Sequence, residues 1–173
     1  MTIDESIKFI PCKICILTIS DSREEKNDES GDLLVNRLQK AGHTLYSRSI
    51  AIDEIDEITI KLKTWINDPD VNIIITTGGT GITKRDVTPE AISLISDKII
   101  DGFGELFRMI SYQKIGTSTL QSRAIACVSG NTYIFSVPGS PNACKDAWDE
   151  ILKFQLDNRH KPCNFIELIP RLD

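Results

Sequence analysis

Apolar residues recur along this chain with two alternating periods. Lys13–Ser20 (KICILTIS) is a nearly continuous apolar run, the pattern of a strand covered on both faces. A polar stretch follows, and then Leu33, Leu34, Leu38 and Ala41 share one side of a helix over Ser30–Ala41. Ser30 is placed as its N-cap, and Gly42 supplies a stop signal. Thr44–Ile50 reads as a second strand. Ile55, Ile58, Leu62, Trp65 and Ile66 return at helical spacing. Val71–Thr77 (VNIIITT) is short and β-branched, which predicts a central strand. After it, Thr88–Pro89–Glu90 has the form of a helix start: Thr as N-cap, Pro at the first helical position, an acid in the first turn.

The second half changes character. Gly102–Ile115 reads as a helix carrying Phe103, Leu106, Phe107 and Ile110. Arg123–Val128 and Thr132–Val137 read as strands joined at Ser129–Gly130–Asn131, a hairpin signal. Pro141–Leu156 reads as one last long helix, and the tail with Pro162 and Pro170 as a segment packed along the surface. Strands alternating with helices predict a three-layer α/β/α fold. Its sheet is mostly parallel with one antiparallel strand from the hairpin, and helices cover both faces.

Length and charge narrow the picture. The chain has 173 residues, the size of one domain at roughly 100–200 residues each, so 1–173 is read as a single domain with its core over about 10–166. Lys and Arg number 20 against 25 Asp and Glu, a net charge of −5, which argues against a nucleic-acid or anionic-membrane binder. No apolar run is long enough to span a bilayer, and Asp4, Glu5, Pro11 and Lys13 spoil a signal-peptide reading. The five cysteines are odd in number and scattered, which reads as reduced thiols in a cytoplasmic protein. The acidity is local: Asp21–Asp32 holds six acids and two bases, and Asp53–Glu57 four acids and no base.

In an open α/β sheet the ligand sits beyond the carboxyl ends of the strands. That rule selects Ser20–Asp21, Ala51–Asp56, Gly78–Asp86 and Val137–Pro141. The Gly78–Gly79–Thr80–Gly81 turn lets backbone approach a phosphate closely. It is not a P-loop, because Lys84 lacks a preceding Gly and is followed by Arg85. The dinucleotide fingerprint fails as well, with Lys84 at its third Gly position. Read alone, it is either a phosphate cradle or a tight turn needing positive φ. Asp53 and Asp86 stand equally open: a capping or solvated carboxylate each, or together the pair that Mg²⁺ takes beside a phosphate. Cys12 and Cys15 have no second pair for zinc, and His43 and His160 read as solvated. Phe103, Phe107 and Met109 read as core or subunit interface.

Several motifs in order resemble a known family. They are Thr76–Gly81 followed by Arg85–Asp86–Val87–Thr88–Pro89–Glu90–Ala91, Ser20–Asp21, Gly102–Phe103–Gly104–Glu105, and Pro138–Gly139–Ser140–Pro141. Together they resemble the molybdenum cofactor biosynthesis family that includes MoaB and MogA. Phe107–Arg123 and Arg159–Phe165 look like its MoaB branch, and the similarity covers about residues 10–166. The resemblance implies an α/β domain assembled as a homotrimer or homohexamer, working with other proteins of molybdenum cofactor synthesis. It implies Mg²⁺-dependent transfer of AMP from ATP to molybdopterin, with pyrophosphate released. The alternative is a non-catalytic molybdopterin-binding or assembly protein of the same pathway. On this resemblance Asp53 and Asp86 are the catalytic acids and the Mg²⁺ holders. Ser20, Asp21, Gly78, Gly79, Thr80, Gly81, Ser118, Ser122, Arg123, Pro138, Gly139, Ser140 and Pro141 line the pterin and nucleotide pockets, and Arg85 and Arg123 meet phosphate or steady the loops. One departure is Ile52–Asp53–Glu54, where the family commonly reads Pro-Asp-Asp.

Overall fold

The computed structural model describes residues 2–172. Its strands, in chain order, are β1 (Thr2–Ile3), β2 (Lys13–Ile19), β3 (Thr44–Ala51), β4 (Ile73–Thr77), β5 (Lys98–Ile99), β6 (Ile125–Ser129), β7 (Thr132–Val137) and β8 (His160–Lys161). The helices are α1 (Glu29–Lys40), α2 (Ile55–Ile66), α3 (Thr88–Ser93), α4 (Asp101–Ile115), α5 (Pro141–Ala147) and α6 (Lys153–Gln155). Six strands form one sheet in the order β3-β2-β4-β7-β6-β5. β3, β2, β4 and β7 run parallel, while β6 is antiparallel to both neighbours. The expected three-layer architecture with one antiparallel strand is therefore the observed one.

Period-2 alternation divides the interior into two cores. Ile14, Ile16, Ile73 and Ile75 face one side, where Leu34 and Leu38 of α1, Phe103 and Phe107 of α4, and Ala147 of α5 cover them. Cys15, Leu17 and Ile74 face the other, under Ile58, Leu62 and Trp65 of α2 and Ala91 and Ile92 of α3. Each central strand is thus buried on both faces, which explains its unbroken apolar sequence. Cys12 and Cys15 belong to opposite cores, so their thiols cannot meet, and burial pushes both up to about 12.

Several expectations need correction. Asp28, not Ser30, caps α1: its carboxylate accepts from the Gly31 N–H at 3.0 Å. Thr88 does not cap α3; its hydroxyl donates to the Gly78 carbonyl at 2.9 Å, and Val87 is the cap residue. The last helix is interrupted, with α5 leading into a π turn at Trp148–Leu152 before α6. The tail packs inward rather than along the surface, since Phe165 meets Tyr133 and Phe135 and Ile166 is buried. Both histidines are buried, not solvated. His43 Nδ1 accepts the Cys12 N–H at 3.1 Å beside Phe9 and Trp148, and His160 lies against Phe154. β8 pairs antiparallel with β1, which ties Thr2–Ile3 to His160–Lys161.

The sheet order places the site. β2 connects outward through α1 to β3, whereas β4 leads away in the other direction toward β7, so the chain diverges between β2 and β4. Such a switch point leaves a crevice at the strands' carboxyl ends. Register aligns those ends: Ile19 with Ala51, Thr18 with Thr77, and Thr77 with Val137.

Candidate functional site

Three strand ends crowd at the crevice, and glycine is what lets them. Gly78 has φ +109°, and a Cβ there would lie 2.1 Å from the Ile19 carbonyl oxygen. Gly79 has φ +62°, and a Cβ there would fall 2.4 Å from Thr88 Oγ1 and 2.8 Å from Asp53 Oδ1. Side chains are therefore excluded where the turn crosses between β2 and the loop after β3. Asp53 stands beside Gly79. Asp86 stands beside Gly81, where a Cβ would meet its Oδ2 at 2.7 Å. The two acids bracket the glycine turn.

A cleft of about 410 Å³ opens here, lined by Ser20, Asp53, Gly78, Gly79, Thr80, Gly81, Asp86, Pro138 and Gly139, with Ser22, Arg23 and Arg85. A pocket of about 200 Å³ adjoins it, sharing Thr80, Gly81 and Pro138. That pocket sets the hydroxyls of Ser111, Ser118, Thr119, Ser122 and Ser140 among the apolar side chains of Phe107, Ile115 and Ala143, and it holds none of the charged groups of the larger cleft. Most expected residues are thus brought together. Three are not on these walls. Asp21 turns to Arg85, with bonds of 2.8 and 3.0 Å. Pro141 opens α5. Arg123 lies behind the turn, donating to the carbonyls of Gly81 and Asp86, both at 2.6 Å, and pairing with Glu90. In this arrangement it braces the turn from outside the cleft and, with Asp86, lines a shallower hollow beside it.

The acids differ in environment. Burial raises the Asp53 carboxyl above its ordinary value, and repulsion from Asp21 and Asp86 adds to this, partly offset by Arg85. Burial acts the same way on Asp86, but bonds from the Thr83 hydroxyl (2.6 Å) and N–H (2.8 Å) outweigh it and hold that carboxyl below its ordinary value. Asp53 does not cap α2, whose cap residue is Glu54. Among the described residues no three His, Cys, Asp or Glu side chains converge as a protein-only metal cage. Two carboxylates flanking a glycine turn, their repulsion only partly offset by Arg85, form the donor set Mg²⁺ uses when phosphates and water complete its shell. The donor set fits that ion.

The sequence reading missed Arg23, whose guanidinium donates to the Gly139 carbonyl at 2.7 Å, as does the Ser30 hydroxyl at 2.8 Å. Both fix the Pro138–Pro141 turn. One signal was available: Arg23 is the only Arg in the acidic Asp21–Asp32 stretch.

This fold and cleft define a class: an α/β domain with a glycine-turn cleft at a topological switch point. A family model described as a probable molybdopterin binding domain matches residues 15–158. The molybdenum cofactor biosynthesis protein B of Escherichia coli is 47% identical over 160 residues, covering 92% of this chain and 94% of that protein. A crystal structure of molybdenum cofactor biosynthesis protein B matches with a TM-score of 0.83 at 45% identity, over 85% of this chain and 92% of that one. The tungsten cofactor synthesizing protein MoaB from Pyrococcus furiosus matches at 0.72 and 37%, over 82% and 91%. The chain belongs to the MoaB family of molybdenum cofactor biosynthesis proteins.

Proposed function

We propose that this protein transfers AMP from ATP to the phosphate of molybdopterin in a Mg²⁺-dependent reaction. A molybdopterin phosphate oxygen attacks the α-phosphorus of ATP, a new P–O–P bond forms, and the bond to the β-phosphate oxygen breaks to release pyrophosphate. The observation that carries this reading is the pair Asp53 and Asp86 on either side of the Gly78–Gly81 turn, in one cleft.

Mg²⁺, held by Asp53 and Asp86, would neutralise phosphate charge during the transfer. The remaining work is positioning. The amides of Gly79 and Thr80, which have no protein acceptor among the described residues, are available to phosphate oxygens. The hydroxyl-rich pocket of Ser111, Ser118 and Thr119 suits a polar, flat heterocycle resting on Phe107. We extend the proposal to assembly as a homotrimer or homohexamer through the outer face of α4, where Leu106, Met109 and Tyr112 are exposed.

The test is incubation of the purified protein with molybdopterin, ATP and Mg²⁺, followed by mass spectrometry. Adenylylated molybdopterin is expected, and Asp86→Asn should lower its formation at least about 100-fold without unfolding the protein. Pterin binding without product would overturn the catalytic reading in favour of a molybdopterin-binding role. Unchanged turnover in Asp86→Asn would remove Asp86 from the mechanism.

A further inference from the structure

One side chain ties together the three loops that form the acidic end of the cleft. Arg85 lies on the loop after β4. Its Nε and Nη2 make parallel bonds to both carboxylate oxygens of Asp21, on the loop after β2. Its Nη1 donates to Glu54 Oε1 at 2.7 Å, on the loop after β3. Asp21 Oδ1 then accepts the backbone N–H of Asp53 at 3.1 Å. A hydrogen-bonded path therefore runs from Arg85 through Asp21 to the backbone that carries Asp53.

The energetics separate this path from fold stability. Arg85, Asp21 and Glu54 side chains are each about half exposed (53%, 47% and 54%), and exposed ion pairs contribute little to global stability. The two-pronged contact with Asp21 needs a planar fork, which Lys lacks. Without Arg85, the charge of Asp21 would act uncompensated on Asp53, and the Asp53 amide would hang on a side chain with no anchor.

We propose that Arg85 is a positioning residue: through Asp21 and Glu54 it fixes the Asp53 loop against the glycine turn, facing Asp86, for capture of a phosphate-bound divalent cation. The cation's part in this rests on the adenylyl-transfer reading; the positioning of the loop does not. Arg85 on this account touches no substrate.

The experiment compares the wild-type protein with Arg85→Ala, Arg85→Lys, Asp21→Ala and the Arg85→Ala/Asp21→Ala double variant. It measures Asp53 amide hydrogen exchange by NMR, the Mg²⁺ dependence of ATP binding by calorimetry, and molybdopterin affinity. Expected are faster Asp53 exchange and a half-saturating Mg²⁺ concentration raised about tenfold in Arg85→Ala and in Asp21→Ala, with molybdopterin affinity unchanged. The double variant should be no worse than either single one, because both break the same path. Arg85→Lys should recover only part of the loss. Unchanged Asp53 exchange in Arg85→Ala overturns the inference, even if ATP is bound and turned over. So does weakened ATP binding in Arg85→Ala with none in Asp21→Ala, since Arg85 would then meet phosphate itself. If wild-type protein binds no Mg·ATP yet Asp53 exchange still rises in the variants, the adenylyl-transfer reading fails and the positioning role stands.

Discussion

His43 is held neutral by its surroundings. Its Nδ1 accepts the Cys12 N–H, and burial against Phe9 and Trp148 lowers its pKa from 6.5 to about 4, with Asp157 pulling weakly the other way. The unfolded chain therefore binds a proton that the folded chain refuses. Stability from this group is full above pH 6.5 and drains as pH falls toward 4, by about 3 kcal/mol in all. Urea midpoints at pH 7, 5.5 and 4.5 should fall accordingly, and His43→Gln should flatten that fall; an equal slope in the variant would remove His43 as its source. Asp28 acts in a lower window. Burial alone would raise its carboxyl, but bonds from Thr18 (2.6 Å), Arg48 (2.8 Å) and the Gly31 N–H hold it below 3.8. Its contribution is complete above that value and lost as pH falls below it. Removing it leaves Arg48 part-buried without its main partner, so Asp28→Ala should cost roughly 3 kcal/mol in urea unfolding at pH 7.

At the scale of elements, the glycine turn ends β4 where the neighbouring backbone leaves no room for a side chain. Gly78→Ala would put a methyl group into the Ile19 carbonyl and force an unfavourable φ, so the turn must shift. The expected loss is about 2 kcal/mol or more in unfolding, together with weakened phosphate-ligand binding by calorimetry. Wild-type stability in that variant would mean the turn has slack. The long elements were legible because β2, β4 and α2 keep their periods uninterrupted. β5 was not, since two residues carry no period and their pairing with β6 is the only thing that makes them a strand. Nor was the π turn, because Trp148, Ile151 and Leu152 continue the helical apolar pattern through it. In the candidate site, the strand-end rule selected the stretches that carry Asp53, Asp86 and the glycines, while the part given to the two acids came from the family resemblance. The partners of the arginines were not: Arg85 reaches Asp21 across 64 positions and Arg123 reaches Gly81 across 42, distances no local pattern encodes.

For the whole molecule, α4 presents a division that a lone chain does not explain. Phe103 and Phe107 are buried in the core, while Leu106, Met109 and Tyr112, one helical step apart on the opposite side, are 38%, 61% and 54% exposed, and Leu120 just beyond is 80% exposed. An apolar row of this length facing water favours association, and the proposed homo-oligomer would bury it. The same helix lines the smaller pocket through Phe107, Ser111 and Ile115, so a neighbour docked on α4 would stiffen that wall. Light scattering of the wild-type protein should therefore report a trimer or hexamer, and Met109→Glu with Leu120→Glu should shift it to monomer, because two carboxylates cannot be buried there unpaired. The dissociated variant should keep its fold, since neither side chain contributes to the core, and should bind molybdopterin more weakly if the pocket wall depends on the contact. An oligomer unchanged by the double substitution would move the interface elsewhere, and a monomeric wild-type protein would end the assembly proposal.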